Sequence, residues 1–210
     1  MIVSVFGASG RTGKALIPMA AEAGIVQRLH YRSAPAEPTP DTATVVVGAL
    51  SDPTAVREVL RGAEAVILLL GHKTGETRAF AAAATKAIIA GMRTQEVPRI
   101  LCVTGAMIGE SSGNVGVTLK MLAFAARRSS QADVLQDRDN QERLVRNSKL
   151  SWTLIKPPRL VDGPAADVDV GPSVSLGMNS QCSRASLARF LVQEAMQPQF
   201  PEQAIYIKHR

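Results

Sequence analysis

Three glycines near the start of the chain, Gly7, Gly10 and Gly13, recur every third residue in Val5-Phe6-Gly7-Ala8-Ser9-Gly10-Arg11-Thr12-Gly13. The apolar run Ile2–Phe6 precedes them, and residues 11–23 follow with Ala15, Leu16, Met19 and Ala20 at helical spacing. In such a setting the first glycine lets a strand turn sharply into a helix. The second clears the backbone for a close ligand, and the third lets the helix lie near the sheet. Open amides at the helix start, with the positive end of the helix dipole, suit a diphosphate. A glycine triplet alone is a weak signal; between a strand and an amphipathic helix it is a strong signal of a dinucleotide loop.

The choice of dinucleotide falls to the second strand, Val26–Tyr31, which ends His30-Tyr31-Arg32-Ser33. A chain that binds NAD places an acid near this point for the ribose 2′-hydroxyl. None stands at this strand end, and a guanidinium matches a 2′-phosphate. NADP(H) is therefore the expected cofactor, with NAD(H) a second possibility. Arg32 is the main determinant and Arg11 or Ser33 assists; the competing reading of Arg32 is a solvated strand-end charge.

Elements in strict alternation must position this loop. Residues 33–41 hold three prolines and read as a loop. A third strand over Ala43–Val47 leads through Ser51-Asp52-Pro53 to a helix over residues 54–61. Strands are expected over residues 65–70, 99–104 and 152–156, and helices over 78–92, 117–126 (apolar) and 137–146 (polar). The tail reads as a loop, a helix over 185–195 and a last strand over 204–207. The fold class is α/β, a doubly wound parallel sheet of Rossmann type. A single domain over residues 1–210 is expected, its part from about 157 to 210 forming a small substrate-side extension.

The bulk composition agrees. Apolar residues make up 46% of 210, charged residues 20% and aromatic residues 4%, in short aliphatic blocks that suit a buried parallel sheet. A net charge of +6 without a dense basic stretch argues against a nucleic-acid partner and for an anionic small molecule. Cys102 and Cys182 lie far apart with no CxxC pair, which suits a reduced compartment. Met1 leads straight into a strand, and no apolar run nears the ~20 residues that span a bilayer, so a cytoplasmic location without a membrane partner is expected. Three histidines and these cysteines show no metal-ligand spacing, and no metal is expected. The oligomeric state, monomer or dimer, is left open.

The loop GASGRTG, the strand end His30-Tyr31-Arg32, the block from Ala65 to Gly71, the segment Lys156-Pro157-Pro158-Arg159 and the late Ser183-Arg184-Ala185-Ser186-Leu187 together resemble the atypical short-chain dehydrogenases. Within them the chain looks most like the compact NAD(P)H-dependent biliverdin-IXβ/flavin reductases, with NmrA-like proteins more distant. The resemblance implies that Gly7, Ser9, Gly10, Arg11, Thr12 and Gly13 hold the pyrophosphate and Arg32 the 2′-phosphate. It also implies that Leu70 and Gly71 run along the cofactor, and that Thr104, Gly105, Pro157 and Pro158 flank the nicotinamide. Three positions depart from the family. Ala49 replaces the Asp that reaches the adenine amine, leaving only backbone near Leu50; Gly105 replaces a Ser; Arg159 replaces a His.

Reduction of ketones by short-chain dehydrogenases uses a Tyr with a Lys four residues on. Here the only tyrosines are Tyr31 and Tyr206, expected at strand ends away from the polar helix. Arg138 stands at the lysine position and Val134 at the tyrosine position. A flavin, quinone or tetrapyrrole accepts hydride without a strong protein acid, needing chiefly to be stacked and shielded. Thr104 and Ser111 are the candidate proton donors. Met107, Lys156 and Arg159 are the candidate substrate contacts, Lys156 being equally a sheet-edge charge. Met107, Ile108, Met121, Leu122 and Phe124 read either as an apolar substrate wall or as ordinary core. Gly109-Glu110-Ser111-Ser112-Gly113 fits GxSxG but lacks the strand and His partner of a hydrolase. His72 is a phosphate or substrate contact or a solvated loop residue. Two functions stand: an NAD(P)H-dependent reductase of a conjugated acceptor, or a non-catalytic NADP-binding sensor.

Overall fold

A computed structural model describes residues 1–71, 79–109 and 115–210. Strands β1 (Ile2–Phe6), β2 (Val26–Tyr31), β3 (Ala43–Val47), β4 (Ala65–Leu68), β5 (Arg99–Val103) and β6 (Ser151–Lys156) all run parallel. Together with β8 (Val168–Gly171) and β10 (Gln203–His209) they form one sheet in the order β3-β2-β1-β4-β5-β6-β10-β8. β10 is parallel to β6, and β8 lies antiparallel at the edge. The doubly wound expectation holds for the sheet, with an antiparallel strand added at one edge. The tail is more ordered than its proline- and glycine-rich sequence suggests: β7 (Arg159–Val161) and β9 (Gln181–Ser183) also pair beside the main sheet. These pieces are three or four residues long, too short to show a period.

Side chains alternate across the sheet, so one strand feeds two cores. Val3, Val5, Ile67, Leu101 and Ile155 face α1 (Arg11–Glu22) and α6 (Arg184–Met196), where Leu16, Leu187 and Leu191 meet them. Phe6, Val66, Leu68, Ile100 and Leu154 face the other way. There they meet Val59 and Leu60 of α2 (Pro53–Leu60), Ile88 and Met92 of α3 (Ala81–Thr94) and Val145 of α5 (Ala132–Arg146). Helix α4 (Val117–Ala126) buries none of its residues.

The chain leaves β1 towards β2 and β3, then crosses back to place β4 on the opposite side of β1. This reversal opens a crevice at the carboxyl ends of β1 and β4, the place where parallel sheets of this kind take ligands. No helix among the described residues is long and apolar enough to cross a membrane, and they contain no group of three potential metal ligands.

Candidate functional site

The glycine loop sits in that crevice. Gly7 has φ +94°, and a Cβ there would lie 2.7 Å from the Leu69 carbonyl oxygen, so only glycine fits between β1 and the end of β4. The Gly7 carbonyl accepts from Gly10 N at 3.0 Å, closing the turn. A Cβ at Gly13 would run into the Ala8 carbonyl, which is how closely α1 approaches the loop. Ser9, Gly10 and Arg11 are exposed at the lip.

Among the described helices, side chains cover the starts of α2, α3 and α6 but not those of α1, α4 and α5. The Asp52 carboxylate accepts from Thr54 N at 2.8 Å at the start of α2, and the Ser183 hydroxyl accepts from Ser186 N at 3.0 Å at the start of α6. The start of α3 is covered from outside: the Asp137 carboxylate of α5 accepts from the amides of Phe80, Ala81 and Ala82 at 2.9, 2.7 and 3.1 Å. The start of α1 has no side-chain cap and no acid in its first turn. Its amides face the crevice and suit the two phosphates of a dinucleotide. The loop thus fits the group that its spacing predicts.

Beside the loop lies a cavity of about 760 Å³ lined by Ser9, Lys14, Tyr31, Arg32, Ser33 and Glu37 among others. Arg32 is exposed there and makes no ion pair with any described residue. His30 points away from it, its Nε2 2.9 Å from the Gly48 carbonyl oxygen, and burial holds its imidazole below the ordinary histidine range. Burial raises the Tyr31 hydroxyl, with Lys14 opposing and Glu37 adding to the shift. Ala49 is exposed and Leu50 half-buried beyond the end of β3.

A family described as NAD(P)H-binding matches residues 7–198. This chain belongs to the NAD(P)H-binding family. Its fold recurs in a short-chain dehydrogenase/reductase of Veillonella parvula DSM 2008 in complex with NADP, with TM-score 0.78, 18% identity, and 98% and 93% of the two chains covered. It recurs in an anaerobillin reductase of Escherichia coli O157:H7, with TM-score 0.78, 19% identity, and 99% and 96% covered. A protein of Streptococcus pneumoniae TIGR4 provisionally named an NADH-flavin reductase is similar over 100% of both chains, at 20% identity and TM-score 0.75. At these identities the likeness is one of fold.

The far end of the crevice in this NAD(P)H-binding chain is built by α5. Its buried residues Val134, Asp137, Arg138, Gln141, Glu142 and Val145 form a helical stripe that is mostly polar. The Arg138 guanidinium donates to the Leu70 carbonyl, to Val103 O at 3.1 Å and to Thr104 O at 2.9 Å, tying together the chain just beyond β4 and β5. Burial lowers its pKa, with Asp137 and Glu142 acting against that shift. Leu70 and Thr104 therefore come together, and Gly71 is exposed next to them. The Ala106 amide donates to the Pro157 carbonyl at 2.9 Å, bringing Gly105 close to Pro157 and Pro158. The Thr104 hydroxyl is buried with no hydrogen-bond partner among the described residues.

Several expectations need correction. Lys156 is fully buried, on a strand that lies between β5 and β10. Its ammonium donates to the Ile108 carbonyl and to Glu142 Oε1 at 3.2 Å. It is neither a sheet-edge charge nor a substrate contact, because its donors point into the protein. Tyr206, expected at a strand end, lies within β10 beside Lys156, whose Nζ is 5.8 Å from the ring centre. The apolar group also divides: Ile108 is buried, Met107 is half-buried, and Met121, Leu122 and Phe124 are exposed on α4, so the core reading fails for these three. Arg159 is exposed and donates to Gln181 Oε1 at 2.8 Å. Ser111, His72 and most of the GxSxG segment lie outside the described residues.

Sequence reasoning missed three contributors. Asp137 as the cap of α3, Arg138 as the tie between strand ends, and the Lys14–Glu37 pair had no local signature. The stripe at 134, 137, 138, 141, 142 and 145 was a visible signal, since its spacing is that of a packed face whatever the polarity.

Proposed function

We propose that this chain is an NAD(P)H-dependent reductase that passes hydride to a conjugated acceptor of flavin, quinone or tetrapyrrole type, with NADP(H) the preferred cofactor. The observation that carries the proposal is the use made of Arg138. The position where a ketone-reducing relative would need its lysine holds a guanidinium committed to three backbone carbonyls, and Val134 is buried and apolar. A site so built can bind and orient a nicotinamide but has no Tyr–Lys acid on that helix. It suits acceptors whose extended conjugation stabilises the added electron pair, the balancing proton coming from water, directly or relayed through the Thr104 hydroxyl, which water reprotonates.

In this reading the nicotinamide supplies the hydride when bound. The open amides of α1 hold the diphosphate, Arg32 the 2′-phosphate, and Ala49 and Leu50 border the adenine. Leu70, Gly71, Thr104, Gly105, Pro157 and Pro158 shape the crevice floor. Met107 and Arg159 border the acceptor, Arg159 offering charge to an acidic substituent. The names of the Escherichia coli and Streptococcus pneumoniae neighbours point in the same direction.

The test is the oxidation of NADPH in the presence of FMN, riboflavin or a naphthoquinone. Steady turnover with at least one of them is expected. Tight cofactor binding with no turnover across the panel would replace this reading with that of a cofactor sensor, which Gly105, in place of the family's serine, favours.

A further inference from the structure

The cavity beside Arg32 holds an ion pair that the glycine loop does not require. Lys14, on the first turn of α1, places its Nζ 2.6 Å from Glu37 Oε1, in the proline-rich segment after β2. Both side chains are more than half exposed, at 55% and 69%. Both line the same cavity as Ser9, Arg32 and Ser33. That pocket wall therefore carries two cations and one carboxylate, and the carboxylate is seated on one of the cations. Arg32 has no such partner among the described residues.

The arrangement treats the two forms of the ribose differently. A 2′-hydroxyl can donate to a carboxylate, which is the usual role of the acid in NAD-binding chains. Glu37 supplies that acid from six residues beyond Tyr31, off the strand end where it is normally sought. A 2′-phosphate brings about two negative charges and strong acceptor oxygens. It is repelled by Glu37 and attracted by Arg32 and Lys14, and it gains Lys14 fully only by taking it from Glu37. An exposed Lys–Glu pair is weak, and a phosphate between two cations can displace it.

We propose that Glu37, through its ion pair with Lys14, sets the balance between NADP(H) and NAD(H), and that Lys14 is the second cation of the 2′-phosphate site. The proposal rests on the dinucleotide reading above and deepens it. Removing the carboxylate leaves Lys14 open to the phosphate and withdraws an acceptor from the ribose. Removing the ammonium leaves Arg32 alone, with Glu37 opposing the phosphate.

Calorimetric titration of NADPH and NADH into the wild-type chain, Glu37→Gln, Lys14→Met and the double variant tests this. Glu37→Gln is expected to raise the ratio of NADPH to NADH affinity about tenfold, and Lys14→Met to lower it by a similar factor. In the Lys14→Met background, Glu37→Gln should still raise the ratio but by a smaller factor, because the direct opposition of Glu37 is removed and no ammonium is released. An unmoved ratio in Glu37→Gln, or an equal effect of that substitution in both backgrounds, overturns the proposal while leaving dinucleotide binding in place. A wild-type chain that binds neither dinucleotide overturns the cofactor reading and this inference together.

Discussion

Lys156 and Glu142 show how much one pairing depends on its surroundings. Burying an ammonium is costly unless a carboxylate and further acceptors meet it, and here Glu142 and the Ile108 carbonyl do so. Glu142 in turn accepts from Arg146 at 2.9 Å and lies against Gly109, where any Cβ would come within 2.6 Å of the carboxylate. Lys156→Met removes one partner and leaves Glu142 buried with less compensation. A loss of about 3 kcal/mol in urea unfolding is expected. The double variant Lys156→Met/Glu142→Leu should recover part of that loss, because it also removes the carboxylate left without its buried partner. A single variant as stable as the wild type would mean that the pair is not buried as described. Nothing in Leu154-Ile155-Lys156-Pro157 foretold this partner, since it lies on another element.

α5 joins the two halves of the crevice, and its polar stripe does so by hydrogen bonds rather than by apolar contact. Asp137 caps α3 while Arg138, one residue on, ties Leu70 to Val103 and Thr104. Asp139 accepts from Gly109 N at 2.6 Å and from Arg127, anchoring the turn after β5. Asp137→Ala strips the acceptor from three amides at a helix start. A cost of about 2 kcal/mol is expected, at the upper end for a lost cap. Amide hydrogen exchange of Phe80, Ala81 and Ala82 should accelerate more than that of the α1 amides. Equal acceleration everywhere would indicate global destabilisation instead of a lost cap. The helix itself was legible, although it begins at Ala132, five residues before the expected start at Asp137. The buried stripe already starts at Val134, ahead of the polar run from Asp137 that marks the helix in the sequence.

At the scale of the molecule, the two cores seal both cysteines. Burial pushes the Cys102 thiol up to about 12 and the Cys182 thiol up to about 11. In the unfolded chain these thiols ionise near 9, so above that pH the unfolded state sheds protons that the folded state keeps, and stability falls as pH rises. Urea midpoints should therefore drop between about pH 8 and pH 10.5, and Cys102→Ala/Cys182→Ala should flatten that drop. An unchanged slope in the double variant would show that the thiols do not contribute. The sequence by itself determined β1, β2, β3, α4 and the loop from Gly7 to Gly13, because strand alternation, glycine freedom and helix start are properties of contiguous residues. Only the tertiary structure decided that β10 would flank β6 and bury Lys156, that Asp137 would cap a helix more than fifty residues away, and that Glu37 would meet Lys14. Those outcomes depend on which groups the sheet order and helix packing bring within reach, and pairings over such distances along the chain leave no period to read.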